Sequence, residues 1–299
     1  MSLYRDLRSA AHKAGGSGAT CAARDVTARD FGRWAKESNV QVQSLDKLKT
    51  KHVAEYGRQL AEKVERGDLS IRTAQNRMTH MRGMLREVGR WQVADNERIS
   101  NAAVGLAGAN RDGTHRAIRE DEYRAAHESA LDRDRGVAAI MALQRSAGLR
   151  DLEAVMGGRA DTLDRWQREL ETHGKINVID GCKGGPTMER WAPIPDPDRF
   201  REALNEARQV IEDTGSRFVL QGQKPDDLKS AFHKYGNEAR NAGLRGEISP
   251  HSLRYAYASE VVAKAEAEGD SRREALIRGS HALGHGDGRG RYVERVYLR

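Results

Sequence analysis

Only two cysteines, Cys21 and Cys182, occur among 299 residues, and they lie far apart. That excludes a disulfide framework, and such scarcity fits a reducing compartment. Aromatic residues make up 5% of the chain, too few for a sandwich or barrel built on aromatic-rich strands. No run approaches the roughly 20 consecutive apolar residues that cross a bilayer. The N-terminal MSLYRDLRSAAHKAGGSG has no apolar stretch of the kind a secretory signal needs, so a cytoplasmic protein is expected. The composition is 38% hydrophobic and 32% charged, and apolar positions cluster at helical spacings, so a core remains available. The length allows one large domain or two ordinary ones.

The net charge of +7 is unevenly spread: residues 1–110 hold 19 basic and 12 acidic side chains, and the rest holds 32 of each. A basic segment beside a neutral one suits a part that grips a polyanion followed by a part with another task. Charge alone decides little, because ordinary soluble surfaces carry similar excesses.

The first third reads as helices. In DLSIRTAQNRMTHMRGMLREVGR, Ser70 is a candidate N-cap, and Ile71, Ala74, Met78, Met81, Leu85 and Val88 recur at spacings of three and four. The other faces carry Arg72, Asn76, Arg77, His80, Arg82 and Arg86, donors suited to phosphate oxygens and base edges. A merely solvated face is the competing reading for this helix. Earlier helices are expected over Thr27–Lys36 and Ser44–Arg66. ISNAAVGLAGANRDGTHRA has no sustained apolar period and marks a linker. Beyond it, AIREDEYRAAHESA, GVAAIMALQRSAGL and RDLEAVMG read as helices, and Ile176–Ile179 and Glu189–Ile194 flank a Gly-rich turn as a hairpin. A helix over Arg199–Thr214 and a helical stretch from Ser249-Pro250 to the end complete the chain. The fold class is mainly α with one small β-sheet.

Four separated pieces carry candidate chemistry: Ala147-Gly148-Leu149-Arg150-Asp151-Leu152-Glu153, Gly181-Cys182-Lys183-Gly184-Gly185, Pro250-His251-Ser252-Leu253-Arg254 and Leu283-Gly284-His285-Gly286. Tyr292 and Tyr297 follow. Each piece is commonplace alone. Together, two arginines, a lysine and two histidines would neutralise charge on a phosphoryl group without a metal ion. A tyrosine beside them supplies a nucleophile for a covalent phospho-enzyme.

In this order and context (GLRDLEAV, SPHSLRYAYAS, ALGHGD), the pieces resemble the tyrosine recombinases, the lambda-integrase family. The resemblance implies a helical, SAM-like core-binding domain over 1–108, a linker over 109–117 and an α+β catalytic domain over 118–299. It further implies that the two domains form a C-shaped clamp on duplex DNA. Arg150 and Arg254 would bind the non-bridging oxygens of the scissile phosphate, and Lys183 would protonate the leaving 5′ oxygen. His251 would help the nucleophile lose its proton, His285 would hydrogen-bond a phosphoryl oxygen, and Glu153 would orient a neighbouring side chain. No cofactor and no metal are implied. The implied activity is site-specific DNA recombination, as by the integrase of a mobile element in the bacterial nucleoid. The implied partners are duplex DNA with paired sites and a homotetramer on synapsed DNA, with an accessory DNA-bending or directionality protein left open.

The chain departs from the family pattern at its end. The family places its tyrosine about nine residues after Leu-Gly-His, where this chain has Glu294. Tyr297 is preferred as nucleophile for its Val-Tyr-Leu context, with Tyr292 the alternative. The two residues after Tyr297 are too short for the C-terminal segment with which many relatives dock into a neighbouring subunit. Residues 1–20 are likewise too short for a separate arm-binding domain. Two rival functions share much of this pattern: a non-catalytic DNA-binding protein of the same fold, and a type IB topoisomerase. A zinc site built on His281 and His285 lacks a third ligand.

Overall fold

The computed structural model describes residues 3–298, apart from 41, 43, 109–114, 183–189, 223, 225 and 226. The chain divides into two compact units, Met1–Arg111 and Asp112–Arg299.

The first unit is helical: α1 (Leu3–Lys13), α2 (Gly18–Glu37), α3 (Thr50–Glu65), α4 (Ile71–Glu87) and the short α5 (Trp91–Ala94). Its core gathers Phe31, Trp34 and Tyr56, whose ring centroids lie 5.0–5.5 Å apart, over Met78, Met81 and Leu85. The Tyr56 hydroxyl donates to Asp30 at 2.6 Å, and Arg77 closes on the same carboxylate oxygen at 2.7 Å. The Ser70 side chain caps α4 by accepting from the Thr73 N–H at 3.2 Å. The buried face of α4 is the expected one at Ala74, Met78, Met81 and Leu85, with Met84 added. Val88 instead lies exposed beyond the helix end.

Two boundaries differ from the sequence expectation. The helix expected at Thr27 begins at Gly18, where Ser17 accepts from the Thr20 N–H. The helix expected from Ser44 is broken at Leu48 and Lys49, which are extended. The cause is remote in sequence: Arg90 donates to the carbonyl oxygens of Asp46 and Leu48, groups a continuous helix would have paired internally.

The second unit comprises α6 (Glu120–Arg133), α7 (Arg135–Ala147), α8 (Asp151–Gly157), α9 (Ala160–His173), β1 (Lys175–Val178), β2 (Arg190–Pro193), α10 (Pro197–Thr214), α11 (Leu228–Asn241), α12 (Pro250–Ala267), α13 (Arg272–Ala282) and α14 (Gly290–Tyr297). Helix α7 is buried on all sides, and its small residues (Gly136, Ala138, Ala139, Ala142) let α6, α10 and α12 approach closely. The hairpin is antiparallel, with Lys175 opposite Pro193 and Val178 opposite Arg190. Helices α9 and α11 are additional to the elements expected from the sequence. In α9 the signal was present, since Leu163, Trp166 and Leu170 are buried at spacings of three and four. Trp166 also donates to the Asn177 carbonyl at 3.0 Å, which seats β1 on α9. No described helix is long and apolar enough to cross a membrane.

Candidate active site

The site forms where helices of the second unit end or begin. Helix α7 closes at Gly148, which has φ +60°; a Cβ there would lie 2.0 Å from the Tyr257 ring. Only glycine permits both that conformation and that approach. The turn delivers Arg150 as the N-cap of α8, and the Arg150 N–H donates to Glu153 Oε2 at 2.8 Å. Glu153 is fully buried and also accepts from the Arg150 guanidinium and from Arg190 Nη2, the latter at 3.0 Å. Arg254 Nη1 stands 3.7 Å from the same carboxylate. Burial would raise the Glu153 pKa, but Arg190, Arg254 and Arg150 together hold it down at about 2.

Pro250 opens α12, so His251 falls in its first turn and Arg254 follows three residues on, close to the same face. Arg254 is fully buried. Its two terminal nitrogens donate to the carbonyls of Gly148 and Leu283, the open ends of α7 and α13. Its Nε is buried with no hydrogen-bond partner among the described residues. Burial first, and then the neighbouring Arg190 charge, lower its pKa to about 10.

Helix α13 stops at Leu283, and Gly284 (φ +65°) swings the chain so that His285 faces α14. His285 Nε2 lies 3.0 Å from Tyr297 Oη. Burial and then Arg254 and Arg150 push the His285 pKa down to about 3. The same causes, in the same order, bring His251 to about 4. Both rings are therefore neutral near pH 7. Tyr297 is 3% exposed, and its ring centroid lies 4.6 Å from that of Tyr255 and 6.0 Å from that of His251. Tyr292 is 41% exposed and meets His285 edge-on at 5.6 Å. Five residues along a helix turn the side chain by about 140°, so α14 can aim only one of the two tyrosines inward.

The structure thus brings Arg150, Glu153, His251, Arg254, His285 and Tyr297 together. Lys183 lies outside the described residues. Its neighbour Cys182 is partly buried and directs its thiol to the Val178 carbonyl at 3.3 Å. His281 and His285 do not converge, because His281 pairs with Asp287 at 2.8 Å. Among the described residues no group of three or more His, Cys, Asp and Glu could hold a metal ion.

The candidate DNA-contact residues of α4 divide. Arg72, Asn76 and Arg86 are exposed, and Arg77, His80 and Arg82 are partly buried. Arg77 pairs with Asp30, His80 with the Thr27 hydroxyl at 2.9 Å, Arg82 with Asn101 at 3.4 Å and Arg86 with Asp95. Burial, and then Arg24, lower the His80 pKa.

Sequence reasoning missed Arg190. Its guanidinium donates to Ala282 O at 2.6 Å and to Gly148 O and Glu153, each at 3.0 Å. The alternation of β2 held the signal: Arg190 and Ala192 point inward and Trp191 outward. A large aromatic left outside while an arginine points in marks an interior prepared for a cation.

Comparison with known proteins agrees with this geometry. The phage integrase N-terminal family model matches residues 1–94, and the integrase family model matches residues 105–260. A lambda integrase tetramer bound to a Holliday junction is 16% identical, covers 98% of this chain and 77% of its own, and superposes with a TM-score of 0.60. The Tn1549 transposon integrase in complex with transposon right end DNA is 13% identical, with coverages of 100% and 95% and a TM-score of 0.61. XerH, a site-specific recombinase bound to its difH substrate, is 17% identical, with coverages of 92% and 76% and a TM-score of 0.57. At these identities the likeness establishes a shared fold. A search of curated proteins finds no match to the sequence. With one family model matching more than half its length, the chain belongs to the integrase family, the tyrosine recombinases, whose members cleave and rejoin DNA.

Proposed function

We propose that this chain is a site-specific recombinase that cleaves and rejoins DNA through a 3′-phosphotyrosine on Tyr297, serving integration and excision of a mobile element. The observation that carries this reading is the 3.0 Å contact between the Tyr297 hydroxyl and His285, beside a buried arginine cluster. A nucleophile, a neutral proton acceptor and phosphate-binding cations then share one site.

Arg150 and Arg254 bind the non-bridging oxygens of the scissile phosphate. The Nε of Arg254, without a partner among the described residues, is a donor that a phosphate oxygen would satisfy. Tyr297 Oη attacks phosphorus, a P–Oη bond forms, and the bond to the 5′ oxygen breaks. Lys183 protonates that oxygen as it leaves. The phenolic proton passes to a neutral histidine. The resemblance gives that task to His251, while His285 is the histidine in contact with the hydroxyl. With His285 hydrogen-bonded to a phosphoryl oxygen, as the resemblance implies, His251 takes the proton. The phosphotyrosine keeps the energy of the phosphodiester, so attack by a 5′ hydroxyl rejoins DNA without ATP.

Duplex DNA carrying paired sites is the substrate, and a homotetramer on synapsed DNA is the working assembly. Arg72, Asn76 and Arg86, exposed on α4, are the surface candidates for DNA contact. Covalent trapping on a nicked substrate cut from the ends of the encoding element tests the proposal. On a denaturing gel, wild type and Tyr292→Phe should form an adduct and Tyr297→Phe none. Loss only in Tyr292→Phe would move the nucleophile. No adduct from wild type bound to that DNA would favour a non-catalytic DNA-binding role, and relaxation of supercoils without paired sites would favour a topoisomerase.

A further inference from the structure

We infer that Arg190 is a positioning residue of the strand-cleavage site, holding the Arg150 turn and the His285 turn in register by binding Glu153 and the carbonyls of Gly148 and Ala282. The inference rests on the recombinase reading of that site.

Arg190 opens β2, and its side chain is 4% exposed. Its three bonds reach three different elements: the C-terminal end of α7 at Gly148, the first turn of α8 at Glu153, and the last turn of α13 at Ala282. Arg150 leaves the first of these junctions, and His285 leaves the third. The ends of α7 and α13 present carbonyls that no helical N–H can reach, and their dipoles favour a cation there. Arg254 binds the same two ends, at Gly148 and Leu283. Two guanidinium groups therefore cross-link the helix ends around Glu153.

Packing around Arg190 is close. A Cβ on Gly284 would lie 2.7 Å from Arg190 Cδ, so the turn carrying His285 rests directly on the arginine stem. Displacing the stem displaces that turn. Both terminal nitrogens of Arg190 are bonded to the protein, and only its buried Nε has no hydrogen-bond partner among the described residues, so its hold on the site runs through the groups that its fork binds. Lysine cannot replace it, because one ammonium cannot reproduce a planar fork whose two nitrogens reach three acceptors on different elements.

The charges point the same way. Arg150, Arg190 and Arg254 face one carboxylate, a surplus of two positive charges in a largely buried space. Such an excess is unfavourable in the resting fold. It matches a phosphoryl group that gains a second negative charge at its transition state.

The experiment is single-turnover cleavage of the nicked substrate by wild type, Arg190→Lys, Arg190→Met, Glu153→Gln and the Met/Gln double variant, with DNA affinity and melting temperature measured on each. Arg190→Met should cleave about a hundredfold more slowly at saturating protein, with affinity changed no more than about threefold. Arg190→Lys keeps the charge and should still lose at least about tenfold in rate, which carries the test should the Met variant not fold. The double variant should lose less than the product of the two single losses, because the bond between the two side chains is counted in both singles, while the bonds of Arg190 to Gly148 and Ala282 still add to the loss in Glu153→Gln. A wild-type rate in either folded Arg190 variant overturns the inference. So do additive losses in the double variant, or affinity and melting temperature falling in step with the rate. If the wild-type enzyme itself forms no adduct on DNA that it binds, the recombinase reading fails, and this assignment fails with it.

Discussion

Glu153 and the two histidines determine what the arginine cluster can do at a given pH. Three guanidinium groups converge on one carboxylate, so any further proton at the site meets uncompensated positive charge. Burial and these cations hold His285 at about 3 and His251 at about 4, against an ordinary value near 6.5. Above pH 6.5 both rings are neutral folded or unfolded and contribute nothing. Below it the unfolded chain gains protons that the folded chain refuses, so stability falls as the pH drops from about 6.5 to about 4. Glu153 adds its own loss only below the ordinary carboxylate range. Urea unfolding at pH 7, 6 and 5 should therefore show a loss of about 1–2 kcal/mol from His251 by pH 5, and a smaller one from His285, whose partial exposure lets solvent screen it. A His251→Gln/His285→Gln variant should lose correspondingly less. Parallel profiles for the two proteins would mean that neither ring is held neutral by its surroundings.

Elements differ in how far they can be read in advance, and the reason is the range of the interaction that sets them. Helix α4 was legible because its cap, Ser70, and its apolar spacing lie within one segment. The Arg150, His251, Arg254 and His285 positions were legible because each stands in a short local pattern. The break before α3 was not, since it depends on Arg90 reaching back more than forty residues to Leu48. Arg190 escaped for a like reason: nothing near it in sequence indicates that two helix ends and a glutamate await it. The polar face of α4 shows the limit from the other side, since spacing places a residue on a face without saying what holds it there. Arg77 is drawn into the first unit by Asp30, where Tyr56 is also anchored. Arg77→Ala should therefore cost about 1–2 kcal/mol of stability, seen as a lower melting temperature of the DNA-free protein. Asn76→Ala, on the same helix but exposed, should leave melting unchanged and weaken DNA binding. Equal melting temperatures for the two variants would mean that the Asp30 pair contributes nothing.

Across the whole molecule, positive charge is used in two ways that respond differently to salt. The first 110 residues carry the entire surplus of +7, much of it on exposed side chains. The second part balances overall and instead concentrates an excess of two in the buried site. Exposed cations act on DNA by displacing condensed counterions, so their contribution falls steeply with ionic strength. Buried cations are screened far less. Affinity for the substrate should therefore drop about a thousandfold between roughly 50 and 200 mM salt. Over the same range, the cleavage rate measured with protein saturating the DNA should change by less than about threefold. Filter binding gives the first quantity, and single-turnover trapping gives the second. A cleavage rate that falls with salt even at saturation would place the arginine cluster within reach of solvent ions. An affinity flat in salt would remove the basic first unit from DNA binding. If one unit grips the duplex and the other holds the phosphate, binding must be steep in salt while cleavage stays flat.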